Sequence, residues 1–301
     1  MRVCLIGCVE FSQHALHTLI DLEASDIIEI AGVVAKKNSK FNSDFVDIGE
    51  VALNYCRPET PTHYFTDEDT LVKFIETIEA DVIYCFGWSN LLTTAVLDAA
   101  PKGVIGFHPA ELPKNRGRHP IIWALALGLT ETASTFFRMD DGADSGPIIS
   151  QEKISISPDD DARTLYDKIV SVAMKQIKKF TVELADGRVY FQDQDKSLAN
   201  HWRKRTPQDG LIDWRMRAHD IKNLVRALTS PYPGAEFLLK GGQAVKVWRA
   251  SVASEPIPSN FEPGKVLNVQ NHMVLVKCAG NTAVWLLETE PQLRVNVGEY
   301  L

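Results

Sequence analysis

Through the first two hundred residues, short continuous apolar runs alternate with longer segments that return to an apolar residue every three or four positions. Residues 2–6, 27–35, 82–86 and 104–107 are of the first kind. Their length and β-branched content suit strands buried on both faces. Residues 44–55, 67–78 and 162–185 are of the second kind. Leu71, Phe74, Ile75 and Ile78 share one helical face, and Leu165, Ile169, Val172, Ile177 and Phe180 another. Thr66 or Asp67 is placed to cap the second of these helices, and Ser12 to cap a helix that follows Gly7. Residues 132–139 and 148–156 read as two more strands. The alternation predicts an α/β fold, a doubly wound, mostly parallel (Rossmann-like) sheet over residues 1–200. After that the pattern changes. Residues 202–210 are polar and basic, a helix is expected at 218–228, and Pro231-Tyr232-Pro233-Gly234 stops it. Four β-type runs at 244–250, 264–269, 272–278 and 282–288 then predict a small all-β, OB-like domain over residues 201–301.

Composition narrows the class. The 301 residues carry a formal net charge of -7 and are 45% hydrophobic. That balance weighs against nucleic acid as a partner, which asks for a basic face. No run is long and apolar enough to suggest a membrane span, and no basic-then-apolar leader opens the chain. Five cysteines without metal-ligand spacing suit a reducing, cytoplasmic setting, with Cys4 and Cys85 as small core residues. His14 and His17 are three apart, but no third ligand completes a metal site, so no metal is expected. A single glycine in the first strand–helix turn leaves the dinucleotide fingerprint incomplete. Lys36, Lys37 and Lys40 lie in a polar loop and read as solvated charge.

The chemistry gathers between Gly103 and Gly146. An apolar strand ends on His108-Pro109. The loop Leu112-Pro113-Lys114-Asn115-Arg116-Gly117, an apolar helix from Ile121, and a second strand follow. The stretch closes on Asp140-Asp141-Gly142-Ala143-Asp144-Ser145-Gly146. If the two strands run parallel, His108 and Asp144 meet at their carboxyl ends, where open α/β sheets bind ligands. His108 can move a proton, and Asp144 can orient it or share that proton.

This stretch resembles the formyltransferases that use N10-formyltetrahydrofolate, a family that includes methionyl-tRNA formyltransferase, glycinamide ribonucleotide transformylase and the sugar-nucleotide N-formyltransferases. Their strand ends in Asn-x-His-Pro/Ala-Ser-x-Leu-Pro, with an Arg-Gly loop and Asp-x-Gly-x-Asp-x-Gly beyond. His108 and Asp144 match the family's histidine and aspartate. Gly106 stands at the position of the family's catalytic asparagine, and Ala110-Glu111 replaces the usual Ser-Leu. The C-terminal IDW…RAL…PYPGA segment is similar to the family's second module, so the resemblance spans nearly the whole chain.

The resemblance implies transfer of a formyl group to an amine, with N10-formyltetrahydrofolate as co-substrate. His108 would then steady the oxyanion or relay a proton, and Asp144 would support it. A backbone N–H near Gly106, a water, His119 or Asn115 could replace the missing asparagine amide. The folate would be held by Phe86, Gly87, Trp88 and Leu91 and by Met139, Asp140, Asp141 and Gly142. An amino sugar on a nucleoside diphosphate is the expected acceptor. Lys114, Asn115, Arg116, Arg118, Arg203 and Arg205 are candidate contacts to it, and Phe11 is a candidate wall of its pocket. The alternatives are an aminoacyl-tRNA acceptor, an acyltransferase of the same fold with another donor, and a folate-binding protein without turnover. A homodimer is compatible with all of them.

Overall fold

The apolar runs become the centre of a seven-stranded sheet of order β3-β2-β1-β4-β5-β7-β8 in the computed structural model, which describes residues 1–39 and 43–301. In chain order the elements are β1 (Arg2–Gly7), α1 (Glu10–Glu23), β2 (Glu29–Ala35), α2 (Ile48–Tyr55), β3 (Thr62–Tyr64), α3 (Glu68–Thr77), β4 (Val82–Phe86), α4 (Thr94–Leu97) and β5 (Val104–His108). There follow β6 (Arg116–Gly117), α5 (Pro120–Ala126), β7 (Glu131–Arg138), β8 (Ile148–Ser155), α6 (Ala162–Ala185), β9 (His201–Trp202) and α7 (Ala218–Leu228). The last five strands are β10 (Ala235–Leu238), β11 (Ala244–Val252), β12 (Val266–Gln270), β13 (Met273–Lys277) and β14 (Ala283–Glu290). Two units divide them. One holds Met1–Gly117, Ala133–Ile154 and Lys168–His201; the other holds Arg118–Thr132, Ser155–Asp167 and Trp202–Leu301.

In the first unit β1 to β5 pair parallel. Val82 to Phe86 are all buried, as strands covered on both faces must be. An aromatic stack fills one side of the sheet. Phe11 lies flat on Phe107 at 4.1 Å between centroids, and Phe136 meets Phe86, Phe107 and Phe180 at 4.8–5.3 Å. Tyr84, fully buried, shares a hydrogen bond of 2.8 Å with Thr181 of α6, so its hydroxyl is satisfied where water cannot reach.

Two sequence expectations are corrected here. Ser12 is not the cap of α1: Val9 is, and Ser12 is the third helical residue. Its hydroxyl accepts from Val9 N–H and donates to the Phe86 carbonyl at 2.6 Å, tying the first turn to the end of β4. The strands carrying His108 and Asp144 are antiparallel, with His108 opposite Thr135 and Ile105 opposite Arg138. A parallel return needs a crossover helix. The only helix among the described residues of that connection, α5, belongs to the second unit and packs on α7. β7 therefore enters from the other end.

The second unit contains an antiparallel sheet of order β10-β11-β14-β13-β12. Four of its strands coincide with the β-type runs; β10 was missed because Ala235–Leu238 is too short to show alternation. Val245, Val247, Val274, Val276, Val284 and Leu286 form its apolar face, and Trp214 packs edge-on to Phe237 at 5.1 Å. Lys277 is buried in β13, where its ammonium donates to the carbonyls of Cys278 and Gly280.

Candidate active site

The first unit brings His108 and Asp144 together although their strands oppose. β7 ends beside the start of β5, and residues 139–147 carry the chain back. Asp144 sits in the left-handed region at φ 55°, which an aspartate tolerates better than most side chains. Its Oδ2 accepts from Gly117 N–H at 2.8 Å and lies 3.6 Å from His108 Nδ1. His108 is 4% exposed. Its Nε2 lies 2.8 Å from the carbonyl oxygen of Asn115. A carbonyl only accepts, so Nε2 carries a proton and Nδ1 is the ring atom left to take up or release one. The 3.6 Å to Asp144 is longer than a direct hydrogen bond and leaves the carboxylate to act through charge or an intervening group.

Two residues that the sequence does not single out hold this arrangement. Gln194 is 9% exposed. Its oxygen accepts from the Arg116 guanidinium at 2.6 Å, and its amide donates to the carbonyls of Asp144 and Gly146 at 2.9 and 2.7 Å. One side chain thus joins the loop after His108 to the acidic loop. Asn200 accepts from Asn115 N–H at 2.8 Å and donates to the Asn115 side chain at 3.2 Å. It fixes the segment whose carbonyl orients the imidazole. Both sit in a polar stretch with no periodicity, so no pattern announces them. Thr135 and Gln151 add a third clamp: Thr135 donates to the Ala110 carbonyl and Gln151 to the Leu112 carbonyl.

Gly106 explains how the chain lacks the family's asparagine. A Cβ built there would stand 2.8 Å from Met139 Cγ, 3.1 Å from its sulfur and 3.2 Å from Phe137 Cζ. Met139 fills the space an amide would need. Its own N–H is held by the Val104 carbonyl at 2.8 Å. The Asn115 side-chain oxygen accepts from Asn200 Nδ2 at 3.2 Å, which orients the side chain and leaves its NH2 to donate. His119 belongs to the second unit.

Met139 also lines a cleft of about 540 Å³ with Leu97, Lys102, Arg138, Asp140 and Asp141, a volume in the range of small-molecule sites. Trp88, Leu92 and Met139 pack on one apolar cluster built from β1, β4 and β5. The Trp88 indole N–H is buried without a partner among the described residues, and Lys36 stands 4.2 Å over its ring. Trp88 does not itself line the cleft; Met139 is the residue that joins the apolar cluster under Trp88 to the cleft with its two carboxylates. Gly87 is required at the turn: at φ 67° a Cβ would meet Val9 Cγ2 at 2.1 Å. Asp140 caps the acidic loop by accepting from Gly142 N–H and Ser145 Oγ, while Asp141 faces Thr94 at 3.4 Å. Leu91 is 89% exposed.

Other expected contacts are placed differently. The rings of Phe11 and Phe86 are buried in the aromatic stack, where edge and face contacts outweigh exposure to a cleft. Phe11 is therefore no wall of an acceptor pocket. Arg116 is buried and spent on Gln194, so it offers no fork to a phosphate. Lys114 is exposed but faces Glu111 at 3.6 Å, and Lys153 approaches the same carboxylate at 3.1 Å. These two lysines, Lys153 first, hold the Glu111 carboxyl below its ordinary range. Ala110 is fully buried, and its carbonyl accepts from Thr135 Oγ1 at 2.6 Å. Arg118, Arg203 and Arg205 belong to the second unit. Lys37 is held by Asp47 at 3.4 Å, and Lys40 lies outside the described residues. Among the described residues no three His, Cys, Asp or Glu side chains converge as a metal site, and no helix is long and apolar enough to cross a membrane. A second cleft of about 580 Å³ lies by Arg2, Glu29 and Arg57, whose charges are paired with one another and with Glu23.

Comparison with known proteins bears on the family and the fold. The formyl transferase family matches residues 1–181, and the formyl transferase C-terminal domain matches residues 204–298. Among solved structures, WlaRD, a sugar 3N-formyl transferase in the presence of dTDP and 5-N-formyl-THF, superposes with a TM-score of 0.70 at 16% identity, over 95% of this chain and 96% of that one. An N-formyltransferase from Helicobacter canadensis, in complex with folinic acid and dTDP-3-aminofucose, gives 0.72 at 16% identity over 94% and 98%. HypX from Aquifex aeolicus in complex with tetrahydrofolic acid gives 0.66 at 16% identity, over 96% of this chain but 44% of that one. At such identities the likeness speaks to the fold. The family assignment comes from the match over the catalytic half, and the chain belongs to the formyl transferase family.

Proposed function

We propose that this chain transfers a formyl group from N10-formyltetrahydrofolate to the amine of a sugar carried on a nucleotide. The observation that carries the reading is the buried His108 beside Asp144, each fixed by a main-chain group. Relatives of the same fold that bind reduced folates and dTDP-sugars support it. The folate supplies the formyl carbon. Trp88, Met139, Asp140 and Asp141 are the residues of this chain that would hold its ring, with the Trp88 N–H finding a carbonyl there. An attacking amine must shed a proton as the new C–N bond forms. His108 Nδ1 is the acceptor the geometry offers, Asp144 stabilises the resulting imidazolium, and the proton passes on to N10 as its bond to the formyl carbon breaks and tetrahydrofolate leaves. The Asn115 NH2 or a main-chain N–H near Gly106, in place of an asparagine amide at 106, would donate to the developing oxyanion, both ring nitrogens of His108 being already engaged.

The test is direct. The purified chain is incubated with N10-formyltetrahydrofolate and a panel of nucleotide-linked amino sugars, and each product is weighed for the gain of one formyl group. Gain on at least one sugar, abolished by His108→Ala, is expected. Absence of gain on every amine, with folate still raising Tm, would leave a folate-binding protein instead.

A further inference from the structure

Acyl transfer to an amine puts negative charge on one oxygen, and a site that speeds it must offer that oxygen an uncommitted hydrogen-bond donor. Around His108 and Asp144 the donors are nearly all committed. The Gly117 N–H is held by Asp144 Oδ2, the Asn115 N–H by Asn200 Oδ1 and the Arg116 N–H by the Asn200 carbonyl. The Arg116 guanidinium donates to Gln194, and the Gln194 amide to the carbonyls of Asp144 and Gly146. Thr135 and Gln151 donate to the carbonyls of Ala110 and Leu112. In the acidic loop the Met139 N–H goes to Val104, and the Gly142 N–H and Ser145 hydroxyl go to Asp140. Gly106 is in register with Cys85 on one side and Phe137 on the other, so its N–H belongs to the sheet.

One donor beside the imidazole is left over. The Nδ2 amide of Asn115 has no acceptor among the described residues, and the residue is half-buried. Which end of the side chain is free follows from the main chain. A backbone N–H only donates, so the Asn200 atom 2.8 Å from the Asn115 N–H is oxygen. The other end of Asn200 is then its NH2, and the Asn115 atom it meets at 3.2 Å is oxygen. Flipping either amide would set donor against donor. Asn115 is thereby turned with its NH2 away from Asn200. The residue sits at φ 61°, which asparagine adopts more readily than most side chains. Its carbonyl is the group 2.8 Å from His108 Nε2. One residue therefore sets the imidazole with its main chain and carries a free amide on its side chain. All of these groups lie in the first unit.

We propose that the Asn115 amide is the oxyanion donor of this site and that Asn200 is its positioning residue. The assignment rests on the formyl-transfer reading and chooses between the two donors that reading leaves open. The Asn115 N–H receives the negative charge that forms on the formyl oxygen as the amine nitrogen bonds to the carbon. His108 Nδ1 takes the amine proton and returns it to N10 as the C–N10 bond breaks and the C=O bond re-forms. Met139 and Phe137 fill the space beside Gly106, so the strand has no place for an amide and the loop after His108 supplies it. Asn200 then serves both halves of the chemistry, because one pair of bonds fixes the carbonyl on the imidazole and the amide on the oxyanion.

The experiment uses the whole chain, N10-formyltetrahydrofolate and an amino sugar that gains a formyl group. Asn115→Gly keeps the left-handed turn and the carbonyl on His108 while removing the amide. Its kcat should fall by about 10²–10³-fold, with KM for the folate within about threefold and Tm within a few degrees. Asn115→Asp keeps the shape and removes the donor, and should fall at least as far. Asn200→Asp still accepts from the Asn115 N–H, but its second oxygen turns the Asn115 amide toward itself, and kcat should fall about tenfold. Adding Gly106→Asn/Met139→Ala to Asn115→Gly should recover about tenfold or more, because a donor returns from the strand; the same pair added to His108→Ala should recover nothing. Near-normal kcat in Asn115→Gly and Asn115→Asp overturns the assignment. So does a loss of kcat matched in both by a loss of Tm, which would make Asn115 a loop anchor. If transfer depends on His108 and not on Asn115, this assignment alone falls. If the unaltered chain formylates no amine, the formyl-transfer reading falls and takes the assignment with it.

Discussion

Gly106 and His108 stand two residues apart on β5 and so share one face of the sheet. Their surroundings are opposite. At His108 the ring meets a carbonyl and a carboxylate, and the loops that present them are joined by Gln194 and Asn200. At Gly106 the neighbours are thioether and phenyl carbons. On the proposed reading the group that would handle the proton has a full supporting shell, while the position matching the family's asparagine is occupied by packing. The difference teaches that the two positions meet separate physical demands, and that His108 and Asp144 are each oriented by a main-chain group.

The largest effect is expected where the polar half is cut. His108→Ala should lower turnover by about 10²–10⁴-fold, the usual worth of a positioned acid–base group. Tm should stay within a few degrees, since the ring touches loops rather than core. Single-turnover rates and a melting curve check both parts. Near-normal turnover would take the imidazole out of the chemistry and leave the contrast with Gly106 without meaning.

Asp144→Asn divides charge from geometry. The amide oxygen can still accept from Gly117 N–H, so the loop should hold and Tm should barely move. The negative charge beside Nδ1 is gone, and turnover should fall by about 10–100-fold through loss of imidazolium stabilisation. An equal fall in Tm and turnover would make Asp144 a loop anchor only.

Much of this was legible from the residue pattern, for identifiable reasons. The buried strands, α6 and α7 follow from apolar runs and helical spacing, and His108 and Asp144 follow from a motif. The antiparallel β7 was not legible, because the connecting helix α5 looks like a crossover helix until its packing on α7 is known. Gln194, Asn200 and Gln151 were not legible either. Long-range side-chain bonds to backbone leave no period, and a glutamine fifty residues from its partner reads as surface. Arg116 was misread for the same reason: as a loop cation it suggests phosphate, and only Gln194 reveals it as internal. The loss of the asparagine was legible, but its replacement by Met139 needed coordinates.

Gln194→Leu tests the support shared by the two loops. It strands the buried Arg116 guanidinium and two carbonyls together. Unpaired buried polar groups of this kind cost about 1–3 kcal/mol each at the neutral end, so a loss of about 3 kcal/mol is expected in denaturant unfolding. KM for the folate and turnover should both worsen, because Asp144 is no longer held. A stability loss without any kinetic change would confine Gln194 to the scaffold.

The smallest expected effect falls on the apolar half and sharpens the comparison most. Gly106→Asn alone forces a Cβ to within 2.8 Å of Met139 Cγ, an overpacking of about 1–3 kcal/mol. The strand backbone at 106 is ordinary β, so sterics rather than dihedral strain set the cost. Met139→Ala opens the space and loses its own contacts. In Gly106→Asn/Met139→Ala the amide occupies the vacated volume, and the two losses should be non-additive by about 1 kcal/mol in the double-mutant cycle. Turnover should follow the same order: reduced in Gly106→Asn, reduced in Met139→Ala, and restored or raised in the pair as a donor regains the face shared with His108. Strict additivity in both stability and rate would mean that Met139 swings aside without cost, and that the face beside His108 was never closed to an amide.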